Sequence, residues 1–213
     1  MAPFVGRPLS RLVEFLLGGA GLEERIFCLA ALNALSAPLN TTASLAGRGW
    51  EELPPRSLPF LRPEDRVVCV GYGCLIDEVL ALCPQVHVCD MRPVEDLEAR
   101  FVGGDRERGP RGVVFHPARD NPAQLSQADV VLLTGCTLAN GTWQALLEWA
   151  KGARMLGLFG PSAALAPEVL KAVGFGYVTT SRVIDPAALA RNLERPLTDP
   201  LHGGCAQGYS LLL

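Results

Sequence analysis

The residues of this chain able to do chemistry stand at the ends of apolar runs, and the fullest group closes the stretch Ala128-Asp-Val-Val-Leu-Leu-Thr-Gly-Cys-Thr-Leu-Ala-Asn-Gly-Thr142. Val130 to Leu133 reads as a parallel strand covered on both faces. Beyond it Thr134, Gly135, Thr137, Asn140, Gly141 and Thr142 offer hydroxyls, an amide and unhindered backbone N–H groups, at the kind of strand end where open α/β sheets bind ligands. The plainer alternative is a strand-to-helix turn, with Asn140 or Thr142 capping a helix that begins near Trp143.

A second group belongs to nucleotide chemistry. Val70-Gly71-Tyr72-Gly73 ends one apolar run, and Val88-Cys89-Asp90 closes the next. A Gly-x-Gly turn lets a ligand approach backbone N–H groups, and a carboxylate closing the following strand is placed to accept from a ribose diol. Position 76 is Ile where the dinucleotide fingerprint has its third glycine, so Gly71, Gly73 and Asp90 fit an S-adenosylmethionine pattern better than a dinucleotide one. The alternative is a tight turn with Asp90 beginning a loop.

A third group is metal-ligating. A doubly wound sheet would gather Cys74, His116, Cys136, Ser162 and Asp90 at one edge, and thiolates with an imidazole suit a late transition metal. Cys136, among exposed-loop residues near a helix start, is the thiol expected to react most readily. Other chemistries are not written here: Gly160-Pro-Ser162 lacks the Gly-x-Ser-x-Gly elbow, and no carboxylate pair sits at helical spacing on an apolar face. The seven cysteines are scattered with no Cys-x-x-Cys pair, which argues against disulfides and a zinc-finger site. Cys28 and Cys69 read as small hydrophobes.

The elements that must position these residues follow from the apolar pattern. With 213 residues, 49% of them hydrophobic, and a net charge of −3, the chain fits one large domain or one domain plus a small appendage. Interspersed charges exclude a nucleic-acid stripe, and apolar runs too short to span a bilayer, with no leader pattern, place the expectation in the cytoplasm. Leu9, Leu12, Val13, Leu16 and Leu17 set out a first helix ended by Gly18 and Gly19, and Glu23, Glu24 and Arg25 look like the solvated start of a second. Its apolar stripe is expected along Ile26, Leu29, Ala30, Asn33 and Ala37, which makes Asn33 an amide in need of partners. Pro38 to Pro63 breaks the pattern, and strands then alternate with helices: Arg66–Val70, Val86–Cys89, Val113–Phe115 followed by a loop, Val130–Leu133, Met155–Phe159 and Gly176–Thr179. Residues 103–112 read as an exposed loop, and the C-terminal Gly203 to Leu213 as a last edge strand. The fold class expected is α/β, a Rossmann-like, doubly wound, mostly parallel sheet, with 1–53 a small N-terminal helical region, 54–65 a linker and 66–213 the Rossmann-like domain.

Leu29-Ala-Ala-Leu-Asn-Ala34, Val70-Gly-Tyr-Gly73, Asp90-Met-Arg-Pro93, the 128–142 stretch and Gly160-Pro-Ser162 together resemble the family named "Putative heavy-metal chelation". The resemblance implies an enolase N-terminal-like domain packed on a Rossmann-like one, with the ligand in the cleft between them. Carried onto this chain, it sets Asn33 opposite Gly71, Asp90, Thr134, Thr137, Asn140 and Ser162. Because the chain starts almost at its first helix, the N-terminal domain is expected to be reduced to helices, packing on the second domain or forming a homodimer. Three functions compete: handling of a transition metal or metal complex, an enzyme using S-adenosylmethionine or a related nucleotide, and a non-catalytic interaction module.

Overall fold

The structure is a computed structural model and describes residues 6–16, 21–97, 100–102, 105–107, 112–194, 201 and 203–213. Before the sheet come α1 (Leu9–Leu16), α2 (Leu22–Ser36) and α3 (Thr42–Gly47). Then β1 (Val67–Val70), α4 (Ile76–Leu82), β2 (Val86–Asp90), β3 (Arg100–Val102), β4 (Asp105–Glu107), β5 (Val114–Pro117), α5 (Asn121–Leu125) and β6 (Val130–Thr134) follow. The chain closes with α6 (Cys136–Asn140), α7 (Trp143–Trp149), β7 (Met155–Phe159), α8 (Pro167–Val173), β8 (Tyr177–Val183), α9 (Pro186–Leu193) and β9 (Ala206–Leu212).

Seven strands form one sheet in the order β5-β2-β1-β6-β7-β8-β9, parallel throughout except for β9, which runs antiparallel to β8 at the edge. This is the doubly wound order: the chain steps outward from β1 through β2 to β5, returns beside β1 as β6, and steps outward the other way. β1 and the first four residues of β6 are wholly buried because both sheet faces are covered. The period of two divides them. Val68, Val70, Val131 and Leu133 join Leu125, Leu146 and Leu170 in one core, while Val67, Cys69, Val130 and Leu132 join Leu75, Ile76 and Val79 in the other. The two late helices start as their prolines require, and Asp185 Oδ1 accepts from Ala188 N (2.9 Å) to cap α9.

Several expectations are corrected. Residues 37–47 are not patternless: Ala37–Asn40 forms a 3₁₀ turn, Thr41 caps α3 by accepting from Ser44 N (3.2 Å), and Leu45 is fully buried. The stretch expected as a linker lies along the sheet. Within it Leu58 is buried and Phe60 meets Tyr177 edge-on at 4.8 Å, and just before it Leu53 bridges to Ser210. The segment after β5 is helical rather than a loop, and the 103–112 stretch, most of which lies outside the described residues, as does the Gly18–Gly19 pair, contains β4, which pairs with the preceding β3. On α2 the buried face carries Cys28, Leu29, Ala31 and Ser36, whereas Ile26, Ala30 and Ala37 are exposed. The stripe turned because α2 packs on α1, on α6 and on the 3₁₀ turn Pro161–Ala163. Arg25 is likewise no solvated end: its Nε donates to Ala139 O (3.2 Å) near the end of α6. Among the described residues no helix is long and apolar enough to cross a membrane.

Candidate functional site

Where the chain order reverses, β1 and β6 lie side by side and their carboxyl ends diverge into a cavity of about 680 Å³. Gly71 and Tyr72 after β1, Asp90, Met91 and Arg92 closing and following β2, and Thr134, Cys136, Thr137, Asn140 and Thr142 after β6 line its polar side. Leu146 and Trp149 of α7 supply an apolar wall.

Asp90, 7% exposed, organises the mouth. Its Oδ2 accepts from Tyr72 N (2.8 Å) and Arg92 Nη2 (2.7 Å), and its Oδ1 from Arg92 N (2.9 Å) and Nε (3.0 Å). Burial by itself raises the pKa of this carboxyl, but the hydrogen bonds from Arg92 and the Tyr72 amide outweigh it and leave it below the ordinary carboxylate value. Arg92 Nη2 also donates to Tyr72 O (3.1 Å), so the pair ties β2 to the glycine turn. Gly71, at φ +95°, is required there: a Cβ would stand 2.7 Å from Thr134 Cγ2.

The stretch after β6 is a one-turn helix rather than a loop. Thr137 Oγ1 donates to Thr134 O (2.8 Å), Gly141 ends the turn at φ +78°, and Asn140 Oδ1 accepts from Thr142 N (3.0 Å) and Thr142 Oγ1 (2.7 Å). Asn140 thus fixes Thr142 and leaves its Nδ2 toward Met91 Sδ (3.8 Å). Neither Asn140 nor Thr142 makes a side-chain cap on α7.

The remaining predicted residues lie elsewhere. Asn33 donates to Ser162 O (3.0 Å) and lines a separate hollow of about 260 Å³. Gly135 is packed so closely on Ser162 and Ala163 that a Cβ would be 2.8 Å from Ala163 N, and one on Gly73 would be 3.0 Å from Phe159. Cys74 opens into a third hollow with Arg56 and Glu78. His116 Nε2 meets His87 Nδ1 at 2.9 Å, its ring stacked on that of His87. The three expected metal ligands, Cys74, His116 and Cys136, are therefore apart, and among the described residues no three His, Cys, Asp or Glu side chains come together as a metal site. Of the interior thiols, Cys69 and Cys89 are pushed up to about 12 by burial, as suits inert packing groups.

Sequence reasoning missed Met91, Arg92 and Arg119 at the cavity. The signal for Arg92 was available, since a guanidinium two positions after a strand-closing carboxylate can fold back on it.

The fold and the cavity define the class: a Rossmann-type α/β protein with a cavity at its switch point. Residues 59–199 match the family described as "Putative heavy-metal chelation", and the chain belongs to that family. An uncharacterized protein of Methanocaldococcus jannaschii is 30% identical over 87 residues, 41% of this chain and 34% of that protein, so the match spans about a third of the curated relative. Two solved structures share the fold. A DUF364-family protein of unknown function from Pyrococcus horikoshii superposes with a TM-score of 0.74 at 17% identity, covering 96% of this chain and 75% of that one. Another, from Desulfitobacterium hafniense, gives 0.73 at 20% identity, covering 97% and 75%.

Proposed function

We propose that this chain binds a small metal complex, an ion already held by an organic ligand, in the switch-point cavity. The observation that carries the reading is the make-up of that cavity: three sulfur-bearing residues, Met91, the exposed Cys136 and the buried Cys89, line it beside Arg92 and Arg119 and against the apolar wall of α7. With so few donors from the chain, the ion must bring most of its own. Arg92 is balanced by Asp90, so the cation left to favour an anionic chelate is Arg119, exposed and only loosely paired with Asp120 at 3.9 Å. The family's description supports metal handling in general.

The test is a titration with nickel, cobalt and zinc ions and molybdate, set against nickel citrate. Nickel citrate should bind one to one and Cys136→Ser should weaken it at least tenfold; no binding of any of them, or indifference to Cys136→Ser, rejects the proposal. The position of Asp90 at the end of β2 favours an adenosylmethionine enzyme as the second reading. Against it, Gly71 N donates to Cys89 O (2.8 Å), Tyr72 N is held by Asp90, and Arg92 occupies the carboxylate that a ribose would need. Calorimetry with S-adenosylmethionine, its homocysteine product and NAD separates the two, because Asp90→Ala should abolish nucleotide binding. An interaction module, including a homodimer through the N-terminal helices, rests on the exposed Leu22, Ile26, Phe27 and Leu35 of α2. Light scattering tests it, with Ile26→Asp expected to yield monomer.

A further inference from the structure

The switch-point cavity is lined by two unlike sets of residues. Asp90, Arg92, Thr134 and Thr142 stand where β2 and β6 end and on the turns that follow, and they offer charge and hydroxyls. Val70, Cys89 and Leu146 line it as well, and all three belong to the buried core on that face of the sheet. The cavity therefore runs from polar strand ends onto the surface of the core.

Helix α7 joins the two. Thr142 precedes the helix and Trp149 is its last residue, so a wall seven residues long extends between them, about 10 Å at the helical rise. Leu146 and Trp149 are three positions apart and share the face that meets the cavity. Leu146 is fully buried, whereas Trp149 is 38% exposed, and among the described residues no aromatic ring or cation lies over its indole. Arg119, on the turn after β5, has a side chain 84% exposed and stands 3.9 Å from Asp120. A wholly polar chelate would occupy the strand ends and leave water against Leu146 and Trp149, where apolar ligand surface is favoured.

Resting on the metal-complex reading of this cavity, we propose that the organic part of the complex is an aromatic acid, its carboxylate meeting Arg119 and its ring lying against Trp149. An indole gains from a second ring, offset or edge-on, beyond what apolar burial gives. A flat ring also has no internal rotors to freeze, unlike an alkyl chain of the same length. Because Asp90 already balances Arg92, the carboxylate goes to Arg119.

The probes are the one-to-one nickel complexes of pyridine-2,6-dicarboxylate and piperidine-2,6-dicarboxylate. Both offer a ring nitrogen and two carboxylates and carry the same charge; they differ in whether the ring is flat and aromatic. In calorimetric titrations of the full chain the pyridine complex should bind about threefold to tenfold more tightly, the size of a ring-stacking contribution. Trp149→Leu should erase that ratio and Trp149→Phe should keep most of it, with melting temperatures showing both variants folded. Equal affinities in the parent chain, or a preference that survives Trp149→Leu, would overturn the inference and leave the metal-complex reading standing. If pyridine-2,6-dicarboxylate binds as tightly without nickel and with the same dependence on Trp149, the metal reading falls and the ring assignment holds. Binding of neither complex ends both.

Discussion

At the scale of single residues, Asp90 and Gly71 show how a short sequence signature acquires a different use. In a nucleotide-binding turn the carboxylate waits for a ligand; here its acceptor positions are taken by the Tyr72 amide and by Arg92. Replacing Asp90 by Ala should cost about 1–3 kcal/mol in urea melts, the usual loss when a charged hydrogen-bonding group is removed from a buried partner. The folded carboxyl is depressed, so its stabilisation is present above the unfolded value of about 3.9 and is lost as pH falls through the lower folded value. The variant should therefore differ from the parent above pH 4 and converge with it in stronger acid. Gly71→Ala should destabilise by about 1–3 kcal/mol through its positive φ, with the Thr134 methyl adding to the loss. Thr134→Ser removes that methyl, so the double variant should recover part of the loss and no more; full recovery would mean that φ was not limiting.

At the scale of elements, β2 and β5 carry an imidazole pair whose protonation is set by a neighbour. Arg66 Nη1 contacts His87 Nε2, and since a guanidinium only donates, the His87 proton belongs on Nδ1, from which it reaches His116 Nε2 (2.9 Å). A second proton on His116 would set two N–H groups against each other. Burial, the Arg66 charge and His116 hold His87 below its ordinary value; burial does so for His116, with Asp120 opposing and Arg66 adding. Both imidazoles bind protons less tightly when folded, so the stabilisation they provide is present above the unfolded value of about 6.5 and is lost as pH falls through the folded values. The urea midpoint should drop between pH 7 and pH 5, and His87→Gln should flatten that slope. An unchanged slope in the variant would place the pH dependence elsewhere.

At the scale of the whole molecule, the N-terminal helices are attached to the sheet domain through Leu45 of α3, buried in its core, and through polar contacts: Arg25 to Ala139, Asn33 to Ser162, and Asn40 to Ala164 and Leu165. Asn40, 2% exposed, has two of these bonds on one amide. Asn40→Ala should release the helices before the sheet, seen as faster amide exchange in α2 and α3 with β1 and β6 still protected. A uniform rise in exchange would show that the two parts unfold as one.

The amino-acid sequence alone determined the parallel sheet, the placing of Asp90 and Thr134 at strand ends, and the proline-started late helices, because each follows from apolar runs, turn residues and caps acting over a few positions. The family was legible in the same local way, through the 128–142 stretch. Only the tertiary structure decided which of those strand ends share a cavity. Cys74, Cys136 and His116 all sit near carboxyl ends of strands, yet the twist and packing of the sheet send them to different places. It likewise took the fold to show that Asn33 lines a hollow apart from the switch-point cavity, since which side of α2 is buried depends on several neighbours at once and no local pattern records that.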